Sequence, residues 1–377
     1  MTVPTAGPPD PVAAPSPALA VAGLTVRIAT RRGVARVVED VSWAVAPGET
    51  LAIVGESGSG KSVSVLSLLG LVPRPPAAVS GHVHFGGRDL LALSEAALEK
   101  VRGPGIGVVF QDPMTSLNPV LTVGRQLTEG MEVHLGLGRR AATDRAAELL
   151  DMVGIPSPRD RLHAYPHQLS GGMRQRVMIA IALSCEPSVL IADEATTALD
   201  VTVQAQIVDL IADLRRRTGL AVVWITHDLG VVAGIADRVA VMYAGRVVEE
   251  GHVDDVYADP RHPYTQGLLA SLPVLGRRRV DLPTIAGLPP DPVAIPPGCA
   301  FHPRCPWRGD ARCATEVPPL RVVAGGGGGS RPPGGPHPLG TGDARDGAGG
   351  PPAGPPRGGR GDHRFASFYD VPAREGR

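Results

Sequence analysis

Cysteine is scarce in this chain, with four in 377 residues. That is too few to staple a protein of this size, and without an export signal a reducing compartment is the default. Disulfides are not expected. Net charge is missing as well: 37 Lys and Arg balance 37 Asp and Glu, which leaves no broad electrostatic footprint for anionic lipid or nucleic acid. No nucleic-acid partner is expected. Long apolar runs are absent too. The longest, such as "LAVVWI" at Leu220–Ile225, are the length of a buried strand and fall well short of the ~18–20 residues that cross a membrane as a helix. The first twenty residues contain no Lys or Arg, which removes the charged region of a secretory signal. Rich in Pro and Ala, residues 1–20 are expected to be a disordered leader.

What is present is long enough for two ordered units of roughly 100–200 residues each. From Val21 to about Glu250, short β-branched runs alternate with helical patterns: "LAIVG" with "KSVSVLSLLGL", "VLIAD" with "DVTVQAQIVDLIADLRRR", "AVVWIT" with "DLGVVAGIA". Such alternation predicts an α/β domain over residues 21–250, with helices packed on a mostly parallel, buried sheet. Polar groups at the C-terminal ends of its strands are then active-site candidates. The strand signal stops over about residues 112–170, where "VGRQLTEGMEVHL" and "TDRAAELLDMVG" have helical spacing, the second closed by Gly154. A helical subdomain is expected there. Residues 251–322 turn Pro-rich, with a predicted helix over "PYTQGLLASL" and a Cys-containing segment after it. Residues 323–361 are mostly Gly and Pro and read as a flexible spacer, since they bury too little apolar surface to offset ordering entropy. The tail, residues 362–377, carries "HRFASFYD", a candidate to dock back.

The most informative stretch is "LAIVGESGSGKSVSVL", a predicted strand running into Gly-x4-Gly-Lys-Ser and then a helix. In such a loop (Gly55, Glu56, Ser57, Gly58, Ser59, Gly60, Lys61, Ser62) the glycines let backbone amides and the helix N-terminus face phosphates. Lys61 then reaches the β and γ oxygens, and Ser62 ligates Mg²⁺. In "SVLIADEA" an apolar strand ends in Asp193 and Glu194. Asp193 is placed to hold Mg²⁺, and Glu194 to take a proton from the attacking water or orient it. Two further strands end in His227, placed for a γ-phosphate, and Gln111, a neutral amide suited to Mg²⁺ or the attacking water. A second glycine-rich loop opens a helix at Ser170, Gly171 and Gly172, more than a hundred residues downstream.

The ordered set "GESGSGKS", "FQDP", "LSGGM", "LIADE", "ALD" and "THD" resembles the ATPase subunit of an ABC transporter. The resemblance implies an α/β P-loop NTPase of the ABC type, with an inserted helical subdomain and a small C-terminal domain. It implies ATP sandwiched between two subunits, the phosphate loop of one facing the "LSGG" loop of the other. Ser170, Gly171 and Gly172 would then address the γ-phosphate held by a partner, and Asp200 in "ALD" would sit at the seam. Two positions depart from the family: Ala195 stands where Pro usually follows the catalytic Glu, and "ATRRGVARVVED" has no aromatic residue to stack on adenine. Arg32 or a neighbour is expected to take the stacking role. ABC-type ATPases of DNA repair, chromosome organisation and translation carry long coiled coils, zinc modules or two tandem cassettes. This chain has one cassette and no heptad array.

"FQDPMTSLNP", "YPHQLSGGMRQRVMIA", "HPYTQGLL" and "PPGCAFHPRCPW" further resemble the oligopeptide, dipeptide and nickel importer branch. The implied function is ATP hydrolysis that powers import of peptides, or a related small solute. The implied partners are two integral-membrane permeases, a second ATPase subunit that is a copy or a paralogue, and, indirectly, an extracytoplasmic solute-binding protein. The implied place is the cytoplasmic face of the membrane, as a peripheral subunit. Some members of this branch hold an iron–sulfur cluster on four thiolates near the chain end. Here Cys299, Cys305 and Cys313 are joined by Ser367 in place of a fourth Cys, while Cys185 lies in a core helix. Serine is a poor ligand for a soft site. Any cluster is therefore expected to be absent or labile, the alternatives being zinc, a damaged iron site or purely structural thiols.

Overall fold

Apolar residues at alternate positions give the first strand, β1 (Leu19–Thr30), one buried face. The alternation slips by one residue between Val21 and Leu24, where a bulge at Gly23 (φ +60°) restores the phase so that Leu24 and Val26 also face inward. β2 (Gly33–Val45) returns antiparallel after a two-residue turn and buries Val41, Trp43 and Val45. The computed structural model describes residues 16–196, 200–272, 283–307, 310–323 and 363–368.

β3 (Thr50–Val54) leads through the phosphate loop into α1 (Lys61–Leu68), and β4 (Ala77–Phe85) and β5 (Arg88–Asp89) complete an antiparallel sheet of order β2-β1-β4-β5. This separate antiparallel sheet goes beyond the sequence reading, which expected one mostly parallel sheet from Val21 onward. α2 (Glu95–Glu99) and β6 (Ile106–Val109) follow, then five helices: α3 (Pro113–Ser116), α4 (Val123–His134), α5 (Arg139–Met152), α6 (Pro158–Arg161) and α7 (Gly171–Leu183). No strand interrupts α3 to α6, and Gly154 (φ +73°) follows α5 as the sequence predicts.

The chain then alternates β7 (Val189–Asp193), α8 (Val201–Thr218), β8 (Ala221–Thr226), α9 (Leu229–Ile235), β9 (Arg238–Tyr243) and β10 (Arg246–His252). β9, β3, β8, β7 and β6 pair in parallel, in that order, and every residue of β3, β7 and β8 is buried, as expected for a sheet covered on both faces. The pleat divides them. Leu51, Ile53, Val223 and Ile225 pack toward the antiparallel sheet and α1, whereas Val222 and Trp224 pack into the helical cluster with Leu127, Leu150 and Ile179. Two stacked sheets and the helices thereby leave the C-terminal ends of the parallel strands open to a ligand.

α10 (Val253–Ala258) and α11 (Pro263–Ala270) begin the C-terminal region, whose apolar centre joins Tyr264 and Phe301 to Val54 and Tyr243 of the main sheet. β11 (Leu320–Val322) and β12 (Arg364–Ala366) extend that sheet antiparallel beside β10. The tail docks through a buried carboxylate: Glu249 lies 2.8 Å from His363 Nε2 and accepts from the amides of Arg261 and His262 at 2.7 and 2.9 Å. Among the expected segments, residues 1–15 of the leader, the spacer beyond Val323 and the end of the tail lie outside the described residues.

Candidate active site

The phosphate loop has the backbone its glycines allow. Gly55 sits at φ +156°, and a Cβ there would meet the carbonyl oxygen of Met242 at 2.2 Å. Gly60, at φ +98°, would meet that of Val37 at 2.4 Å. Any side chain at either position would push the loop off β9 or β2. Lys61 opens α1, is 5% exposed, and donates from Nζ to the carbonyls of Gly55 (2.8 Å) and Glu56 (3.1 Å). Burial lowers its pKa, while Glu194, Asp193 and Glu56 pull it back up. The nearest counter-charge to the ammonium is Glu194, whose Oε1 lies 4.0 Å from Nζ.

Three neighbouring strand ends supply the remaining groups. Ser62 Oγ donates to Asp193 Oδ1 at 2.9 Å. Asp193, 3% exposed at the end of β7, has its pKa raised chiefly by burial. Glu194 leaves the strand in a left-handed turn at φ +47°, with its amide on the Ile225 carbonyl at 2.9 Å. Its Oε2 accepts from Gln111 Nε2 at 2.8 Å, and Oε1 lies 3.4 Å from His227 Nδ1 and 4.0 Å from Lys61 Nζ. Gln111, Glu194 and His227 therefore meet where the sequence expected them to. They line one cavity of about 780 Å³ with Gly55 to Gly58 and Gly60 to Ser62. Ser59 is the exception in the loop: it is 4% exposed, lies outside this lining, and closes a turn on the Glu56 carbonyl at 3.2 Å.

The donor set suits Mg²⁺. Ser62 hydroxyl, Asp193 carboxylate and the Gln111 amide are hard oxygen groups beside the loop, and a desolvated carboxylate such as Asp193 is one that a divalent cation would neutralise.

The second glycine loop lies elsewhere. Ser170 caps α7, its hydroxyl accepting from the Met173 amide at 3.3 Å, and Asp200 caps α8, accepting from the Val203 amide at 2.9 Å. The two caps adjoin, because a Cβ on Gly172 would meet Val203 Cγ1 at 3.0 Å. Ser170, Gly171, Gly172 and Asp200 do not line the cavity. Arg32, expected with its neighbours to take the stacking role, does not line it either; it forms an ion pair with Asp291.

Sequence reasoning missed the grip of the C-terminal region on the phosphate loop. Tyr264 Oη accepts from the Glu56 amide at 2.8 Å, and Arg304 takes both Glu56 carboxylate oxygens at 2.7 and 3.0 Å. A charged side chain inside a glycine-rich loop was the only local sign that a cation must come from afar.

All four cysteines are thiols. Cys299, Cys305, Cys313 and Ser367 line one small cavity, so Ser367 does stand beside the three. Burial pushes the Cys299 thiol up to about 11 and raises that of Cys313. Among the described residues no group of three or more His, Cys, Asp or Glu is arranged to hold a metal ion. Three thiols and a serine supply one thiolate fewer than the four that hold an iron–sulfur cluster.

A phosphate loop at the edge of a parallel sheet, with a carboxylate and an amide meeting over its lysine, defines a P-loop ATPase. The ABC transporter family matches residues 38–197, and the C-terminal region of oligopeptide/dipeptide transporters matches residues 248–313. A putative peptide import ATP-binding protein of Brucella melitensis is 52% identical over 319 residues, covering 81% of this chain and 94% of that protein. Another, of Brucella abortus, is 50% identical over 310 residues, covering 82% and 93%. The dimeric cassette of a bacterial ABC transporter superposes with TM-score 0.56 at 29% identity, covering 62% of this chain and 98% of that one. A post-hydrolysis dimer of an ATP-binding cassette with ADP and phosphate superposes with TM-score 0.54 at 30% identity, with the same coverage. This chain belongs to the ATP-binding subunits of ABC transporters, and its enzyme class is the ABC-type ATPase. Among its described residues no helix is long and apolar enough to cross a membrane.

Proposed function

We propose that this subunit hydrolyses ATP to drive import of peptides, or a related small solute, through two separate membrane permeases to which it binds on the cytoplasmic face. The observation that carries the reading is the convergence of Lys61, Gln111, Glu194 and His227 on one cavity at the strand ends. The loop Gly55, Glu56, Ser57, Gly58, Ser59, Gly60, Lys61 and Ser62 binds the triphosphate, with Lys61 leaving its carbonyl perch for the β and γ oxygens. Ser62, Asp193 and Gln111 hold Mg²⁺, which neutralises phosphate charge when bound. Glu194 orients the attacking water and accepts its proton, and His227, 3.4 Å from that carboxylate, holds the γ-phosphate.

One such site has too few donors to neutralise a triphosphate by itself. Ser170, Gly171 and Gly172, at the exposed N-terminus of a 13-residue helix, supply them to the nucleotide of a second ATPase subunit, either a copy or a paralogue. Asp200, capping the next helix beside that loop, couples the two sites. Nucleotide binding thereby becomes closure of the pair, and closure is what the permeases transmit to the solute handed over by an external binding protein. The names of the relatives, peptide import ATP-binding proteins at 52% and 50% identity, support the solute class. Phosphate release from Mg·ATP, measured on the purified chain with and without its permeases, tests the reading. Hydrolysis lost in Lys61→Ala is expected; equal release by both proteins would refute it.

A further inference from the structure

The cavity has a phosphate end and needs a nucleoside end. Its lining has no Phe, Tyr or Trp among the described residues, and Arg32 is engaged elsewhere. Its apolar lining is aliphatic instead: Val37 and Val63 belong to the cluster under the antiparallel sheet, whereas Leu268 and Ile285 belong to the cluster of the C-terminal region. The cavity therefore lies in the seam between two apolar clusters, with the phosphate loop at its floor.

Resting on the ATP reading above, we propose that the C-terminal region is part of the nucleotide site: Leu268 and Ile285, with Val37, form the surface that takes the nucleoside, and Arg304 is the positioning residue that fixes this surface to the phosphate loop. The guanidinium, 5% exposed, spends its donors in one plane. Nε donates to the Ala286 carbonyl at 3.0 Å and Nη2 to the Ile285 carbonyl at 3.3 Å, while Nη1 and Nη2 together grip Glu56 at 2.7 and 3.0 Å. One rigid fork thus ties the backbone of the wall to the loop residue whose own carbonyl supports Lys61. Farther along, the same segment is braced on β2, where the Arg36 amide donates to Pro292 O at 2.9 Å and Arg36 Nη2 to Ile295 O at 3.0 Å. An aliphatic wall held at both ends replaces an aromatic stack.

The two ends of the ligand can be tested separately, using the full chain with Mg²⁺ and calorimetric titration of ATP against inorganic tripolyphosphate. Leu268→Ala and Ile285→Ala are each expected to weaken ATP about threefold to tenfold, the loss from a few apolar carbons, and to leave tripolyphosphate unchanged. Arg304→Met is expected to raise KM for ATP with kcat little changed, and Arg304→Lys to restore part of the affinity. Equal weakening of both ligands by the alanine variants, or of neither, would overturn the proposal; these variants carry the test even if Arg304→Met does not fold. Lys61→Ala separates this proposal from the reading it rests on. It must weaken tripolyphosphate, and if it does not, the phosphate-site assignment itself has failed.

Discussion

Glu194→Gln removes one charge and almost no volume, which makes it the sharpest probe of the chemistry. The wild-type carboxylate accepts from Gln111 at 2.8 Å and faces His227 Nδ1 at 3.4 Å and Lys61 Nζ at 4.0 Å. A glutamine of the same shape can still accept from Gln111, so the loop and the Mg²⁺ ligands should hold their positions. What disappears is the acceptor for the water's proton. Losing an acid–base group costs at least ~10²-fold in turnover, about 2.7 kcal/mol of barrier. Nucleotide affinity should be retained, because removing a negative charge beside a triphosphate does not oppose its binding. The assay pairs phosphate release with ATP titration, and size-exclusion chromatography with ATP present should reveal a trapped closed dimer. Unchanged turnover would take Glu194 out of the catalytic role. Turnover and ATP binding lost together would make Glu194 a structural support of the loop.

Ser170→Arg should leave ATP binding to an isolated subunit nearly intact yet block closure and turnover, because Ser170 caps α7 away from the cavity; monomer affinity falling as far as in Lys61→Ala would refute the shared site. His262 supplies a pH dependence. Burial lowers its pKa to about 3 from the ordinary 6.5, and its neutral Nδ1 accepts from the Tyr264 amide at 3.1 Å. The unfolded chain takes up a proton that the folded one refuses, so stability is complete above the ordinary value and falls with pH toward about 3, by about 1.4 kcal/mol per unit. Melting curves of His262→Asn, whose side chain can still cap the helix, should be flatter in acid than those of the wild type. An equal slope would contradict the assignment. Anaerobic purification followed by iron and sulfide analysis should find less than stoichiometric cluster, and four-iron content that survives Ser367→Ala would show that the ligand count is wrong.

The catalytic end of the fold was legible because its signals are local. The apolar runs of β3, β7 and β8 end directly in the phosphate loop, in Asp193 and Glu194, and just before His227. The antiparallel sheet was less legible because β1 and β2 break their own period at Gly23 and Asp40, both with positive φ, so neither strand shows unbroken alternation. The Arg304–Glu56 contact spans 248 residues, and no spacing rule reaches that far. The partner of Arg32 is equally remote: Asp291 is 259 residues away.

The measurement closest to the central claim is transport itself, by the membrane complex co-purified with this chain and reconstituted into lipid vesicles with its solute-binding protein. The account predicts that labelled peptide accumulates and phosphate is released together with the wild-type subunit, and that both stop with Lys61→Ala. A chain that extracts without membrane partners, or peptide uptake that continues with Lys61→Ala, would contradict it.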